Sequence, residues 1–187
     1  MTGYELPTAL VVGGKRYPIR TDFRDILNIL IAMNDPELDR EAKAVVILKV
    51  MFPGWKDIPP DNIAEALTRA CEFIDCGFRD DGRGNPRVVD WQDDANLIIP
   101  AVNSVAHREV RAEAYLHWWT FLGYYSEIRE SLFSTVVGIR LKKRIGKKLD
   151  QWEKDFYKEN RSIVDMRTPE TEEIKREKEA ILKWLDQ

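Results

Sequence analysis

The sequence predicts a mainly α-helical fold: a multi-helix globular bundle with a small N-terminal β-hairpin and a C-terminal amphipathic helix. Three observations carry that prediction. Apolar residues recur at spacings of three and four over most of the chain, the period that turns one helix face toward a core. Cap-proline-acid signals, Asp35-Pro36-Glu37 and Thr168-Pro169-Glu170, stand where helices would begin. The one glycine-punctuated pair of short β-type runs is confined to the N-terminus.

The hairpin comes first. Ala9–Val12 and Arg16–Ile19 are short apolar-rich runs around Gly13-Gly14-Lys15, and paired glycines take the positive φ angles of a tight turn. Two strands alone are marginal in water, so the hairpin is expected to lie on a helical body. Thr21 or Asp22 caps the first helix, on which Phe23, Ile26, Leu27, Leu30 and Ile31 share a face. Asp35-Pro36-Glu37 then reads as a new start, with a capping carboxylate, proline at the first helical position and acid in the first turn. The helix it opens runs through Val45, Val46 and Val50 and stops before Pro53-Gly54. Apolar groups spread around it predict a central position.

A third helix begins near Pro60 and aligns Ile63, Leu67, Ala70, Ile74 and Phe78. Residues 79–89, rich in Asp, Arg, Gly, Asn and Pro, read as a loop. A fourth helix starts at Asp90 with Trp91, Ala95, Ile98, Val102 and Val105 on one side, and Pro100 is expected to kink it. The aromatics from Ala112 to Tyr125 predict burial on nearly all sides. From about Ser131 to Asn160, Val137, Leu141, Ile145, Leu149, Trp152 and Phe156 repeat as an inward stripe, with Gly138 or Gly146 as the breaking point.

Residues 1–166 thus read as one helical domain and residues 167–187 as the amphipathic helix. Ile174, Ile181, Trp184 and Leu185 form a narrow apolar strip on that otherwise charged segment. A helix of this length is marginal alone. The strip is therefore the expected partner-binding surface, docked on its own body or on another chain.

Composition narrows the function. A chain of 187 residues supports one core. The net charge of −3 is spread mildly, with 12 basic against 17 acidic residues over 1–100 and 17 against 15 over 101–187. That balance argues against a protein that coats nucleic acid. No run approaches the ~18 apolar residues of a membrane span. The N-terminus has neither the basic nor the apolar region of a secretory signal, so a soluble cytoplasmic protein is expected. Cys71 and Cys76 diverge on a helix and are expected to stay reduced.

No set of polar residues converges on a nameable reaction, so no enzyme, cofactor or metal is expected. His107 and His117 do not share a helix face, and Glu113, four residues before His117, brings no third ligand. Asp80-Asp81-Gly82-Arg83-Gly84-Asn85 lacks the alternating carboxylates of a calcium loop and the ending of a phosphate loop. Asp93 and Asp94 suit a helix start without catalysis. Six of the nine residues from Arg140 to Lys148 are basic. With Leu141, Ile145 and Leu149 turned inward and no aromatic platform among the charges, they read as a solvated helix face.

Four stretches resemble the bacteriophage gene-product-fifteen family of siphophage tail-morphogenesis proteins. Leu6-Pro7 with the glycine hairpin and Tyr17-Pro18-Ile19-Arg20-Thr21-Asp22-Phe23-Arg24 is similar to the family's start. Asp90-Trp91-Gln92-Asp93-Asp94-Ala95 resembles a second block, Leu116-His117-Trp118-Trp119-Thr120-Phe121 a third, and Gly138-Ile139-Arg140 a further short element. The resemblance covers most of residues 6–165, with Pro100 and the charged extension beyond Thr168 as departures.

The resemblance implies a tail-assembly chaperone of the host cytoplasm. Its partners would be the tape-measure protein and the tail tube protein, with self-association left open and neither nucleic acid nor membrane involved. A structural tail or head-completion subunit retained in the virion is the alternative, and a nucleic-acid-associated regulator using residues 140–148 a third.

Overall fold

The computed structural model describes residues 5–76 and 87–166. The expected helix over 167–187, with Ile174, Ile181, Trp184 and Leu185, lies outside the described residues, as do Phe78 and the segment Asp80 to Asn85.

Strands β1 (Ala9–Val12) and β2 (Lys15–Pro18) pair antiparallel, Ala9 opposite Pro18 and Val12 opposite Lys15. The turn is two residues long, not three: Gly13 and Gly14 take φ of +56° and +73°, a geometry whose twist matches the strands. Leu10, Val12 and Tyr17 point inward while Val11 is exposed. As expected, the hairpin rests on helices. The Gly13 amide donates to Glu65 Oε2 at 2.9 Å, and the Tyr17 hydroxyl to the Asp57 carbonyl at 3.2 Å.

Eight α-helices follow among the described residues. They are α1 (Phe23–Asn34), α2 (Arg40–Met51), α3 (Ile63–Ile74), α4 (Ala95–Ala106), α5 (Trp118–Ser126), α6 (Leu132–Arg144), α7 (Gln151–Glu159) and α8 (Arg161–Val164), with short 3-10 turns at Trp55–Asp57, Pro60–Asn62 and Val110–Ala112. Helix α1 packs on α2 and α5, α2 on α3, α4 on α5 and α6, and α6 on α8. The main core lies where the first five helices meet. Phe23, Ile26, Met51, Phe52, Ala66, Val102 and Phe121 are enclosed there, and the Phe23 and Phe121 rings stack at 4.6 Å. Each large side chain so enclosed stabilises the fold by roughly 1.5–3 kcal/mol. A second, smaller cluster of Val136, Ile139 and Val164 sits between α6 and α8.

Several expectations are corrected. Asp35 does not cap a new helix. It closes α1, and its carboxylate accepts the Glu37 amide at 2.8 Å in a local turn, while Asp39 caps α2 by accepting from Ala42 at 2.7 Å. Two capping carboxylates four residues apart competed for one start, and the nearer one took it. Helix α2 is one-sided: Ile47, Leu48 and Met51 are buried, but Val45 is exposed. On α1 the buried line is Phe23, Ile26 and Ile29, so Ile31 falls off the face. Helix α4 continues past Pro100, which is exposed. In α5 only Trp118 and Phe121 are buried.

The long terminal stretch splits at Gly146, whose φ is +70°. The buried face of α6 is Phe133, Val136, Ile139 and Arg140; of the expected stripe Val137, Leu149 and Phe156 pack against the two cores, while Leu141, Ile145 and Trp152 are exposed.

Candidate functional site

The residues that carry the resemblance meet in pairs. Asp22 and Arg24, at the start of α1, hold the strand of chain that enters α5. The Asp22 carboxylate accepts the Arg24 amide through Oδ1 and the Leu116 amide through Oδ2, each at 3.0 Å. Arg24 reaches past it to donate to the Glu113 and Arg111 carbonyls at 2.6 and 3.1 Å. The backbone closes the contact, with Phe23 donating to Leu116 and Trp118 to Thr21.

The third block then acts as a cap twice over. His117 is the N-cap of α5: its Nδ1 accepts the Trp119 amide at 3.0 Å, which leaves Nε2 as the protonated nitrogen facing the Pro7 carbonyl at 3.0 Å. This is a buried structural histidine, 3% exposed. The indoles of Trp118 and Trp119 donate to the Ile74 and Phe73 carbonyls at 2.7 and 2.8 Å, satisfying the end of α3. His107 is elsewhere, exposed and left-handed at the end of α4.

The second and fourth blocks meet at a buried ion pair. Arg140 is 6% exposed and Asp94 3%. Nη1 and Nη2 donate to the two Asp94 oxygens at 2.6 and 2.9 Å and also to the Val88 and Ile163 carbonyls at 3.0 and 2.8 Å, while Nε donates to the Val164 carbonyl at 2.7 Å. All five N–H groups of Arg140 thus have acceptors. Asp94 also accepts the Asp90 amide at 2.8 Å. Asp90 in turn caps the turn before α4. Burial alone would raise its carboxyl, but the Asp93 and Gln92 amides and Arg87 hold it below the usual range. Burial, reinforced by the Asp94 charge, pushes the nearby Tyr125 hydroxyl up to about 12, so it stays neutral.

Among the described residues no group of three or more His, Cys, Asp and Glu side chains could hold a metal ion. Cys71 and Cys76 are unpaired, and burial pushes both thiols up, away from thiolate chemistry. Open cavities border α5 and α6. One of about 330 Å³ is bordered by Arg87, Lys143, Arg144 and Met166, and one of about 660 Å³ runs beside α5 along Val105, Trp119, Leu122 and Tyr124. The larger also borders Cys76, Ser126 and Glu127, but there the Ser126 hydroxyl donates to the Leu122 carbonyl at 2.8 Å and not to the carboxylate.

A family model described as Bacteriophage Gp15 protein matches residues 4–166. The chain belongs to that family. No curated protein and no solved structure matches it. Membership suggests a structural or morphogenetic role in a phage, and it gives the paired blocks a physical meaning: they tie distant parts of one fold together.

The sequence missed one residue of the pairs outright. Arg140 was grouped with five other cations as a solvated face, and it is the only one of them that is buried. Its signal was available in the helix period, since it follows Phe133, Val136 and Ile139 on the inward line. The expected partner-binding residues Ile174, Ile181, Trp184 and Leu185 lie outside the described residues.

Proposed function

We propose that the protein is a non-enzymatic tail-assembly chaperone that binds the tape-measure protein in the host cytoplasm and keeps it from aggregating while tail tube subunits polymerise around it. The observation that carries this reading is the family match over residues 4–166 to a phage protein. The geometry supports it. Residues of each block are engaged in internal ties, while Leu132, Leu141, Ile145 and Trp152 stand exposed on the body. A long helical partner presents apolar stripes until it is encapsulated, and such side chains can cover them. Many copies along one partner would hold it through individually weak contacts, which tube subunits could then displace.

In this reading the strip Ile174, Ile181, Trp184 and Leu185 contributes to the partner surface. Deleting residues 168–187 should leave a folded protein by circular dichroism that no longer keeps co-expressed tape measure soluble. Undiminished solubility would remove the strip from the mechanism. Mass spectrometry of purified particles tests the class of function, because a stoichiometric copy number in the virion would make the protein a structural subunit instead.

A further inference from the structure

Helix α6 ends at a corner where apolar and cationic side chains are exposed together. Leu141 and Ile145, one helical turn apart, are 40% and 48% exposed, and Trp152 at the start of α7 is 57% exposed. Between them in sequence stand Arg144, Lys147 and Lys148, all exposed. The neighbouring cations are engaged internally: Lys142 with Glu153 and Asp150 at 2.7 and 3.2 Å, Lys143 with Asp165 at 2.8 Å. Arg144, Lys147 and Lys148 make no ion pair with any described residue. The eight-residue stretch from Leu141 to Lys148 therefore holds positive charge unpaired among the described residues together with exposed aliphatic surface.

We propose that this corner docks an acidic amphipathic helix of the partner, its apolar stripe on Leu141, Ile145 and Trp152 and its flanking carboxylates on Arg144, Lys147 and Lys148. Charge complementarity selects the acid flank, and the aliphatic pair selects a helix over a bare polyanion, which would leave Leu141 and Ile145 in water. An extended anionic surface, duplex or membrane, fits less well. A broad surface would have to cover Asp150, whose side chain is 67% exposed between Lys148 and Trp152. The surface stands on its own geometry; that its occupant belongs to the tape measure rests on the chaperone reading.

The test uses the full chain and a fluorescein-labelled synthetic helix of about twenty residues, with a leucine stripe flanked by glutamates, beside a twin flanked by lysines. Anisotropy should show the glutamate peptide binding, more weakly as salt rises, and the lysine twin at least about tenfold weaker, a difference of ~1.4 kcal/mol. Leu141→Ser with Ile145→Ser, and separately Lys147→Glu with Lys148→Glu, change only exposed positions. Each should weaken the glutamate peptide about tenfold or more, and the charge reversal should favour the lysine twin.

Equal binding of the two peptides, or no effect of either variant pair, overturns the proposal. So does tighter, variant-sensitive binding to duplex DNA or to phosphatidylserine vesicles, or a concentration-dependent dimer that the variants abolish. The two readings fail separately. A positive peptide result with tape measure still insoluble rejects the chaperone function and leaves the surface, whereas tape measure solubilised equally by the variants rejects the surface and leaves the function.

Discussion

The core between α1 and α5 and the small cluster between α6 and α8 are held by different physics. Around Phe23, Trp118 and Phe121 the chain encloses aromatic and aliphatic groups from six helices and the hairpin. Stability there comes from area removed from water, and the shape of the side chains sets the geometry. Between α6 and α8 only Val136, Ile139 and Val164 are buried apolar groups. That region depends instead on Arg140, whose donors fix the positions of Val88, Asp94, Ile163 and Val164 at once. Where apolar area is small, direction replaces it: a buried ion pair adds little net stability over well-packed apolar groups, but it tolerates few alternative arrangements.

The sharpest way to break this contrast is to remove one half of the pair. Arg140→Met should cost about 3–5 kcal/mol by urea unfolding, because Asp94 is left charged and buried. Adding Asp94→Leu should recover the part of the loss that comes from the stranded charge, while the Val88, Ile163 and Val164 carbonyls stay without their donor. Phe121→Ala should cost about as much, through the cavity it leaves, with no single second substitution to restore it. If the Arg140 loss resists rescue in the same way, the two regions do not differ as described.

Smaller effects sharpen the comparison. Val164→Ala removes two buried carbons from the lesser cluster and should cost about 2 kcal/mol. Native-state hydrogen exchange should then show α7 and α8 opening before α1 and α5. Asp22→Ala removes the acceptor for two backbone amides and should cost about 1–2 kcal/mol.

The smallest effect is a pH dependence at the rim of the main core. Hydrogen bonds from Arg111 hold the Glu109 carboxyl down at about 2, from an ordinary value of 4.5. A depressed value in the folded state means that its contribution is complete above about pH 4.5 and is lost as pH falls through about 2. A side-chain NMR titration should place the midpoint near 2, and the stability difference between wild type and Glu109→Gln should shrink across that window.

Much of this architecture was legible in the sequence, because short-range chemistry dictated it. The turn at Gly13-Gly14, a cap at Thr21 or Asp22 and a break at Gly138 or Gly146 each depend on one or two residues, and the structure takes Asp22 and Gly146. The errors came where two local signals competed or a periodic pattern admitted two phases. Asp35 and Asp39 both could start a helix. Residues 133–140 and 137–145 each offered an apolar stripe at helical spacing, and the choice between them lay with partners more than forty residues away, above all Asp94. The candidate surface inherits that ambiguity: Leu141, Ile145 and Trp152 were assigned to the interior by spacing alone, and only the position of α4 shows that the interior lies on the other side.

Arg140 also constrains what other sequences can share this fold. A lysine offers three donors on a single atom and no plane, so it cannot meet two carboxylate oxygens and three carbonyls arranged around a fork. Histidine is too short and carries only two nitrogens. The position is therefore a fingerprint that admits one letter, and its aspartate is a second letter conditional on the first. In any relative that keeps α8 in place, the two should be gained or lost together, which makes the pair a better guide to distant members than the basic run in which the arginine is embedded.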